Sequence, residues 1–256
     1  MSPITESELV QLLANAQRLG SKPLVDLQAL DGIDHETGYR VALAQQKILG
    51  EKPALYKTVL RNDGLPAIAS PIWKSRVGYS EQNYVFPAHF DVIGVEFELG
   101  VRLARDILPT EDLDDESIRE AIEYYFLGVE IVGTRLKTDN LSGNPPTPAQ
   151  LLADHNKALG YVIGGKCTRD TDVSGLPVTF EINGKEIDRK LAAPGGSTVL
   201  ESLVAYAKVQ QPHLPLRAGT FITPGALSGL VRIPEGTKGH IVGRLGDEEP
   251  VRFSIQ

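Results

Sequence analysis

Residues 94–100 read Gly94-Val95-Glu96-Phe97-Glu98-Leu99-Gly100, and this stretch bears on both the fold and the chemistry. Successive side chains of a β-strand point to opposite faces. Val95, Phe97 and Leu99 therefore share a core-facing side, and Glu96 and Glu98 share the other. Two neighbouring carboxylates repel one another, and each resists burial without a partner. Either their face meets water, as on an ordinary half-exposed antiparallel strand, or a cation lies between them. The alternation extends from Val92 to Ala104 and predicts one long strand.

Gly128-Val129-Glu130-Ile131-Val132 places another glutamate inside an apolar run that also holds Phe126 and Leu127, and a second strand is predicted over Phe126–Leu136. An ionised carboxylate there needs a partner. One candidate is an ion pair with Arg135 or Lys137; the other is a metal shared with Glu96 and Glu98. Three carboxylates are hard oxygen donors, which suit Mg²⁺ or Mn²⁺ and leave the other octahedral positions to water and substrate.

Working outward, Thr5-Glu6-Ser7-Glu8 is a capping box, followed by Leu9, Leu12, Leu13 and Ala16 at helical spacing and closed by Gly20. A second helix is predicted from Asp34 through Tyr39, Val41, Ala42, Gln45 and Ile48 to Gly50. Two short apolar runs, Leu55–Leu60 and Ile68–Trp73, flank the turn signal Arg61-Asn62-Asp63-Gly64. Acidic residues ahead of Ile118, Ala121, Ile122 and Tyr125 predict a third helix. Strands are expected at Tyr161–Gly164 and Val178–Ile182, the latter leading into Asn183-Gly184, a type I′ hairpin signal. A helix over 198–209 and strands at Thr220–Thr223, His240–Arg244 and Val251–Ile255 complete the pattern. These elements describe an α+β fold around a large, bent sheet. With no repeat or long linker, residues 1–256 read as a single catalytic domain, a helical region 1–50 packed on a β core 51–256.

The formal net charge of −7 argues against a nucleic-acid surface. Cys167 is the only cysteine, which excludes an internal disulfide and a cysteine-based zinc site, and it reads as a small core residue. No basic, apolar leader and no run near the ~20 apolar residues of a membrane helix is present, so a cytoplasmic protein without a membrane partner is expected.

Glu96-Phe97-Glu98, with Glu130 following 32 residues later in Leu-Gly-Val-Glu-Ile-Val-Gly-Thr-Arg, resembles the fumarylacetoacetate hydrolase superfamily. Within it, the resemblance is to the branch of 2-keto-4-pentenoate hydratases and 4-oxalocrotonate decarboxylases. The helix around Tyr39, Tyr56-Lys57-Thr58-Val59, Ala153-Asp154 through Val162-Ile163-Gly164, and Leu216-Arg217-Ala218-Gly219-Thr220 leading into Thr223-Pro224-Gly225 fit in order. The sequence departs from the branch at Gly133-Thr134-Arg135, where Asp-Ser-Arg is usual, at Asp154-His155-Asn156-Lys157, where Asp-Asn-Ala-Ser is usual, and at Ala67, where an acidic residue is usual. The Thr-Gly-Ser loop of the branch reads Thr223-Pro224-Gly225-Ala226.

The resemblance implies a mixed β-roll with flanking helices and a homo-oligomer. It implies Mg²⁺ or Mn²⁺ on Glu96, Glu98 and Glu130, completed by the C1 carboxylate and C2 oxygen of a small 2-oxo acid. Such an ion stabilises an enolate or dienolate. Lys57 would lie over the substrate, holding its carboxylate or moving a proton. Asp154 and His155 would be further proton carriers, with Thr223, Asn156 and Arg135 as substrate contacts. The implied reaction, in aromatic compound catabolism, is hydration of a 2-hydroxy-2,4-dienoate by a hydro-lyase. A metal-dependent 2-oxo acid decarboxylase, an acylpyruvate C–C hydrolase and a non-catalytic relative are the alternatives.

Overall fold

The computed structural model describes residues 4–20, 24–61, 64–87, 92–137, 145–169, 172–194 and 198–256. The long strand is present as β6 (Val92–Leu103), and it pairs antiparallel along nearly its whole length with β7 (Ile122–Gly133). These two form the middle of an eight-stranded mixed sheet. Its order is β3 (Ile68–Trp73), β2 (Pro53–Val59), β12 (Phe221–Thr223), β6, β7, β9 (Ala158–Lys166) and β4 (Val77–Tyr79), with β13 (Val231–Arg232) also on β6. The pairs β2–β12 and β4–β9 are parallel.

The sheet curls into a roll. Leu55 of β2 and Ile72 of β3 share one buried cluster with Phe126 of β7 and Tyr161 and Ile163 of β9, although these strands lie far apart in the sheet order. This cluster forms an apolar floor inside the roll. The outer face carries the other half of the alternation. Val95, Phe97, Leu99, Val129 and Ile131 pack on Phe180, Ile241 and Phe253. Those partners belong to a five-stranded sheet ordered β11 (Lys185–Leu191), β10 (Pro177–Ile182), β14 (Gly239–Leu245), β15 (Val251–Ile255) and β5 (Val85–Phe86). Both faces of β6 are thus committed, which fixes its register, because a slip of one residue would bury the carboxylates in the sandwich core.

Helices close the sides. α1 (Glu6–Leu19) has the expected capping box at Thr5 and Glu8. α2 (His35–Leu49) is capped by Asp34 and ends at Gly50 in the left-handed conformation. Leu9, Leu13, Leu30, Val41 and Ala153 join them to α4 (Pro148–Ala153). The same cluster includes Leu136 of β8 (Leu136–Lys137), which pairs in parallel with β1 (Val25–Asp26). α5 (Glu201–Val209) lays Leu203 and Tyr206 against Val101, Leu103 and Ile222.

The hairpin signal is realised at β10–β11, where Asn183 and Gly184 take φ of 51° and 78°. The third helix is shorter than predicted. α3 (Asp115–Arg119) stops at Glu120, and Ile122 already opens β7. Ile122, Tyr124, Tyr125 and Phe126 are residue types that favour strands, and pairing with β6 extends through them. The run predicted as one strand to Leu136 divides at Thr134 and Arg135 into β7 and β8. α4, with a capping box at Thr147 and Gln150, was not anticipated. Part of the turn signal, Asn62-Asp63, lies outside the described residues. Among the described residues no helix is long and apolar enough to cross a membrane.

Candidate metal centre

The β6–β7 ladder sets Glu96 directly opposite Glu130, and Glu98 opposite Gly128. Residues opposed in an antiparallel pair share a face, so all three glutamates point into the roll. One carboxylate oxygen from each lies within 4.8 Å of the others. Glu98 and Glu130 are fully buried, and Glu96 is partly open. Gly128 makes this packing possible. A β-carbon there would collide with the Tyr161 side chain, which instead lies over the glycine beside the acidic cluster.

Two further strands supply partners. β2 and β12 pair Lys57 with Thr223. Lys57 Nζ lies 2.8 Å from Glu130 Oε1 and 3.7 Å from Glu96 Oε2. Thr223 Oγ1 donates to Glu98 Oε2, and the Tyr161 hydroxyl donates to Thr223 Oγ1 at 3.4 Å. Glu98 Oε1 is buried without a hydrogen-bond partner.

The electrostatics are those of an acidic cluster one cation short. Burial raises the Glu98 carboxyl well above the ordinary carboxylate range, and the Glu130 charge adds to the effect. Burial likewise pushes Glu130 up to about 7, although Lys57 pulls against it. Burial acts to lower the Lys57 pKa, but the attraction of Glu130, Glu96 and Glu98 outweighs it and the pKa is raised. With all groups ionised, three carboxylates and one ammonium leave two negative charges, which a divalent ion neutralises. Around an octahedral Mg²⁺ at about 2.1 Å, ligand oxygens lie roughly 3–4 Å apart. The oxygen spacing and the orphaned Glu98 Oε1 therefore fit a hard divalent cation.

Lys57 and Glu96 open onto a cleft of about 600 Å³. Its walls mix apolar Val59, Leu60, Val199 and Leu227 with polar Thr58, Thr198, Glu201, Ser202 and Ser228, and Lys57 is its only cation among the described residues. A larger cleft of about 770 Å³, bounded by Tyr39, Arg40, Leu43 and His213, contains none of the three carboxylates.

No family model matches the chain. It is 30% identical over 145 residues to a 2-keto-4-pentenoate hydratase of Paraburkholderia xenovorans (strain LB400), an alignment that covers 56% of this chain and 52% of the relative. It is 27% identical over 139 residues to a 4-oxalocrotonate decarboxylase of a Pseudomonas sp, covering 54% of this chain and 50% of the relative. The chain thus spans about half the length of the curated relatives it matches. Among solved structures, 4-oxalocrotonate decarboxylase from Pseudomonas putida G7, complexed with magnesium and adipate, superposes with a TM-score of 0.77 over 99% of both chains at 18% identity. The chain has the fumarylacetoacetate hydrolase fold. The resemblance to the hydratase and decarboxylase branch holds, and the curled mixed sheet is the expected one.

Within this fold, the structure brings together only part of the residue set that the resemblance implied. Glu96, Glu98, Glu130, Lys57 and Thr223 converge. Arg135 and Asp154 do not join them. Both are fully buried and spend their hydrogen bonds on each other, with Thr134 Oγ1 donating to Asp154 at 2.5 Å and Arg135 also donating to Gln17 of α1. Their ion pair ties the end of β7 to the end of α4. Both side chains are therefore engaged at the junction between β7 and α4.

His155 is also fully buried. Its ring stands edge-on to Trp73, with 5.1 Å between centroids, and Nε2 lies 3.3 Å from Gln45 Oε1. Burial, followed by the nearby Arg135 charge, lowers its pKa well below the usual histidine value. The ring is thus packed between α2 and β3, with Nδ1 buried and without a hydrogen-bond partner among the described residues. Asn156 donates from Nδ2 to Ser70 Oγ at 2.6 Å, and Ser70 stands opposite Lys57 in the β2–β3 ladder. Sequence reasoning missed Ser70 and Tyr161, because each sits in an apolar run and gains its meaning from strands remote in the chain.

Proposed function

We propose that the protein is a metal-dependent hydro-lyase that adds water to a 2-hydroxy-2,4-dienoate, giving a 4-hydroxy-2-oxo acid, with residues 1–256 acting as one catalytic unit. The observation that carries this reading is the convergence of Glu96, Glu98, Glu130 and Lys57, with Lys57 and Glu96 opening onto a cleft. Mg²⁺ or Mn²⁺ held by the three carboxylates supplies a Lewis acid that stabilises negative charge on the oxygens of a 2-oxo acid. Lys57 presents its ammonium beside them, where it attracts the substrate carboxylate and is within reach to hold or move a proton at Nζ. Thr223, donating to Glu98, keeps that carboxylate aimed into the roll. Burial of Glu98 and Glu130 away from bulk water strengthens the electrostatics of the charged end.

The walls also bear on the choice of reaction. A second carboxylate, as in a 2-oxo diacid, would enter a cleft with no cation besides Lys57 among the described lining residues, and burying it unpaired is unfavourable. A substrate with one carboxylate and a short uncharged tail fits better, which favours hydration over decarboxylation. Incubation with Mg²⁺ and 2-hydroxypenta-2,4-dienoate, followed by NMR, should yield 4-hydroxy-2-oxopentanoate. Release of CO₂ from a 2-oxo diacid without water addition would replace this reading with a decarboxylase, and inertness towards both would withdraw the enzymatic reading.

A further inference from the structure

Ser70 lies opposite Lys57 in the antiparallel β2–β3 pair, so its side chain points into the roll on the face that carries Lys57. It is fully buried. Its oxygen accepts from Asn156 Nδ2 at 2.6 Å, and its own hydroxyl hydrogen has no acceptor among the described residues. A hydroxyl whose lone pair is engaged in this way is left to donate. Lys57, its neighbour across the ladder, carries an ammonium that cannot accept, so the hydroxyl suits an oxyanion acceptor.

The backbone that delivers Asn156 is itself unusual. His155, Asn156 and Lys157 take φ of 51°, 51° and 66°, three successive non-glycine residues in the left-handed region. Left-handed residues ordinarily occur singly, because the β-carbon crowds the following carbonyl. Here the surroundings hold the turn. Arg135 grips Asp154 before it, Gln45 and Trp73 hold the His155 ring, and Lys157 N–H donates to the Asp154 carbonyl at 3.1 Å. Strain of this kind persists where the surrounding structure over-determines it, and it clusters at functional positions. Its product here is one side-chain contact, the Asn156–Ser70 hydrogen bond on the face that carries Lys57.

We propose that Ser70 is a substrate-binding hydroxyl that donates to the same oxyanion the Lys57 ammonium faces, and that Asn156 is the positioning residue that orients it. This rests on the 2-oxo acid reading of the site and adds a residue pair to it. The two roles are coupled. Asn156 acts through Ser70 and has no separate contribution to ligand affinity.

The test uses Mn²⁺ and oxalate, a small dianion that mimics the carboxylate and 2-oxo end. Mn²⁺ affinity is read by EPR and oxalate affinity to the Mn²⁺-loaded protein by calorimetry. Ser70→Ala should leave Mn²⁺ affinity unchanged and weaken oxalate by about tenfold, the scale of a hydrogen bond to a charged group. Asn156→Gly removes the amide while accepting the positive φ, and should weaken oxalate several-fold in the wild-type background but not in Ser70→Ala. Ser70→Thr, which keeps the hydroxyl on a strand-compatible side chain, should restore most of the affinity. Oxalate binding by Ser70→Ala at wild-type strength would overturn the assignment alone. So would a parallel loss of Mn²⁺ affinity, which would make Ser70 a support of the carboxylate cluster. A wild-type protein that binds Mn²⁺ but not oxalate would overturn the 2-oxo acid reading and this assignment with it.

Discussion

Glu96 and Glu130 occupy directly opposed positions on β6 and β7, with their side chains on one face of the sheet. Like charges in that relationship are destabilising in an ordinary hairpin. Glu98, two residues along, adds a third acid to the same buried space, and Lys57 balances only one of them. The arrangement is intelligible as a cation site, and several measurable consequences follow from its charge balance.

Glu98→Ala removes the carboxylate whose Oε1 has no protein partner. Mn²⁺ affinity should fall by about two orders of magnitude or more, in the range expected when a metal site loses part of its ligand environment. Mg²⁺-dependent turnover of a 2-oxo acid substrate should be lost with it. The metal-free variant should nevertheless be at least as stable as wild type, since a buried acid has been removed from beside two others. Circular dichroism and EPR titration separate these effects. Normal Mg²⁺-dependent activity in the variant would remove the metal mechanism.

The acid cluster also gives the stability of the metal-free protein a definite pH dependence. The Glu130 carboxyl, at about 7 in the folded state, lies above its unfolded value of about 4.3. Between those values the folded chain binds more protons than the unfolded chain, so stability declines as pH rises through that window and levels off above it. Glu98 is raised in the same sense and carries the decline upward. Lys57 is raised as well, but a raised lysine contributes fully below its unfolded pKa of about 10.4 and adds no slope between pH 5 and 8. Thermal melts in EDTA should therefore show Tm falling from pH 5 to pH 8. Saturating Mg²⁺ should raise Tm more at pH 8 than at pH 5, because protons compete with the ion for the carboxylates. A flat profile in EDTA would contradict the cluster's electrostatics.

Arg135 and Asp154 form a fully buried pair that joins β7 to α4. Removing one partner strands the other's charge in the interior, a loss of about 3–5 kcal/mol. Asp154→Ala or Arg135→Ala should thus lower Tm strongly while the folded fraction keeps its Mn²⁺ affinity. A kcat defect in Asp154→Ala at unchanged stability would return Asp154 to a role in proton transfer.

The parts of this molecule that were legible in advance are those decided by near neighbours in the chain. The alternation of Val95, Phe97 and Leu99 with Glu96 and Glu98 is a property of one strand, and the caps at Thr5, Asp34 and Gly50 are properties of single turns. Other features depend on strands meeting. The register that opposes Glu96 to Glu130 comes from a ladder spanning 34 residues of separation, and the closure that sets Asn156 against Ser70 spans 86. His155 and Asp154 carry chemistry-bearing side chains in a motif-like run, yet their surroundings are set by Gln45, Trp73 and Arg135, which pack around them only in the folded chain.

Gly128 offers the sharpest test of how that closure supports the centre. It lies opposite Glu98 on β7, and the Tyr161 side chain from β9 occupies the space where its β-carbon would be. The glycine costs the strand some conformational entropy, but it leaves room for the phenol end of Tyr161, whose hydroxyl reaches Thr223, which in turn holds Glu98. Gly128→Ala should push the ring outward and destabilise the protein by about 1–3 kcal/mol, as over-packing does. It should also weaken Mn²⁺ binding, although no ligand has been altered. Pairing it with Tyr161→Phe separates the two routes. The phenylalanine variant keeps the packing and loses only the hydroxyl, so it should retain stability and show a smaller loss of metal affinity. Equal metal affinity in Gly128→Ala and wild type would mean that the tyrosine and the acidic cluster are independent.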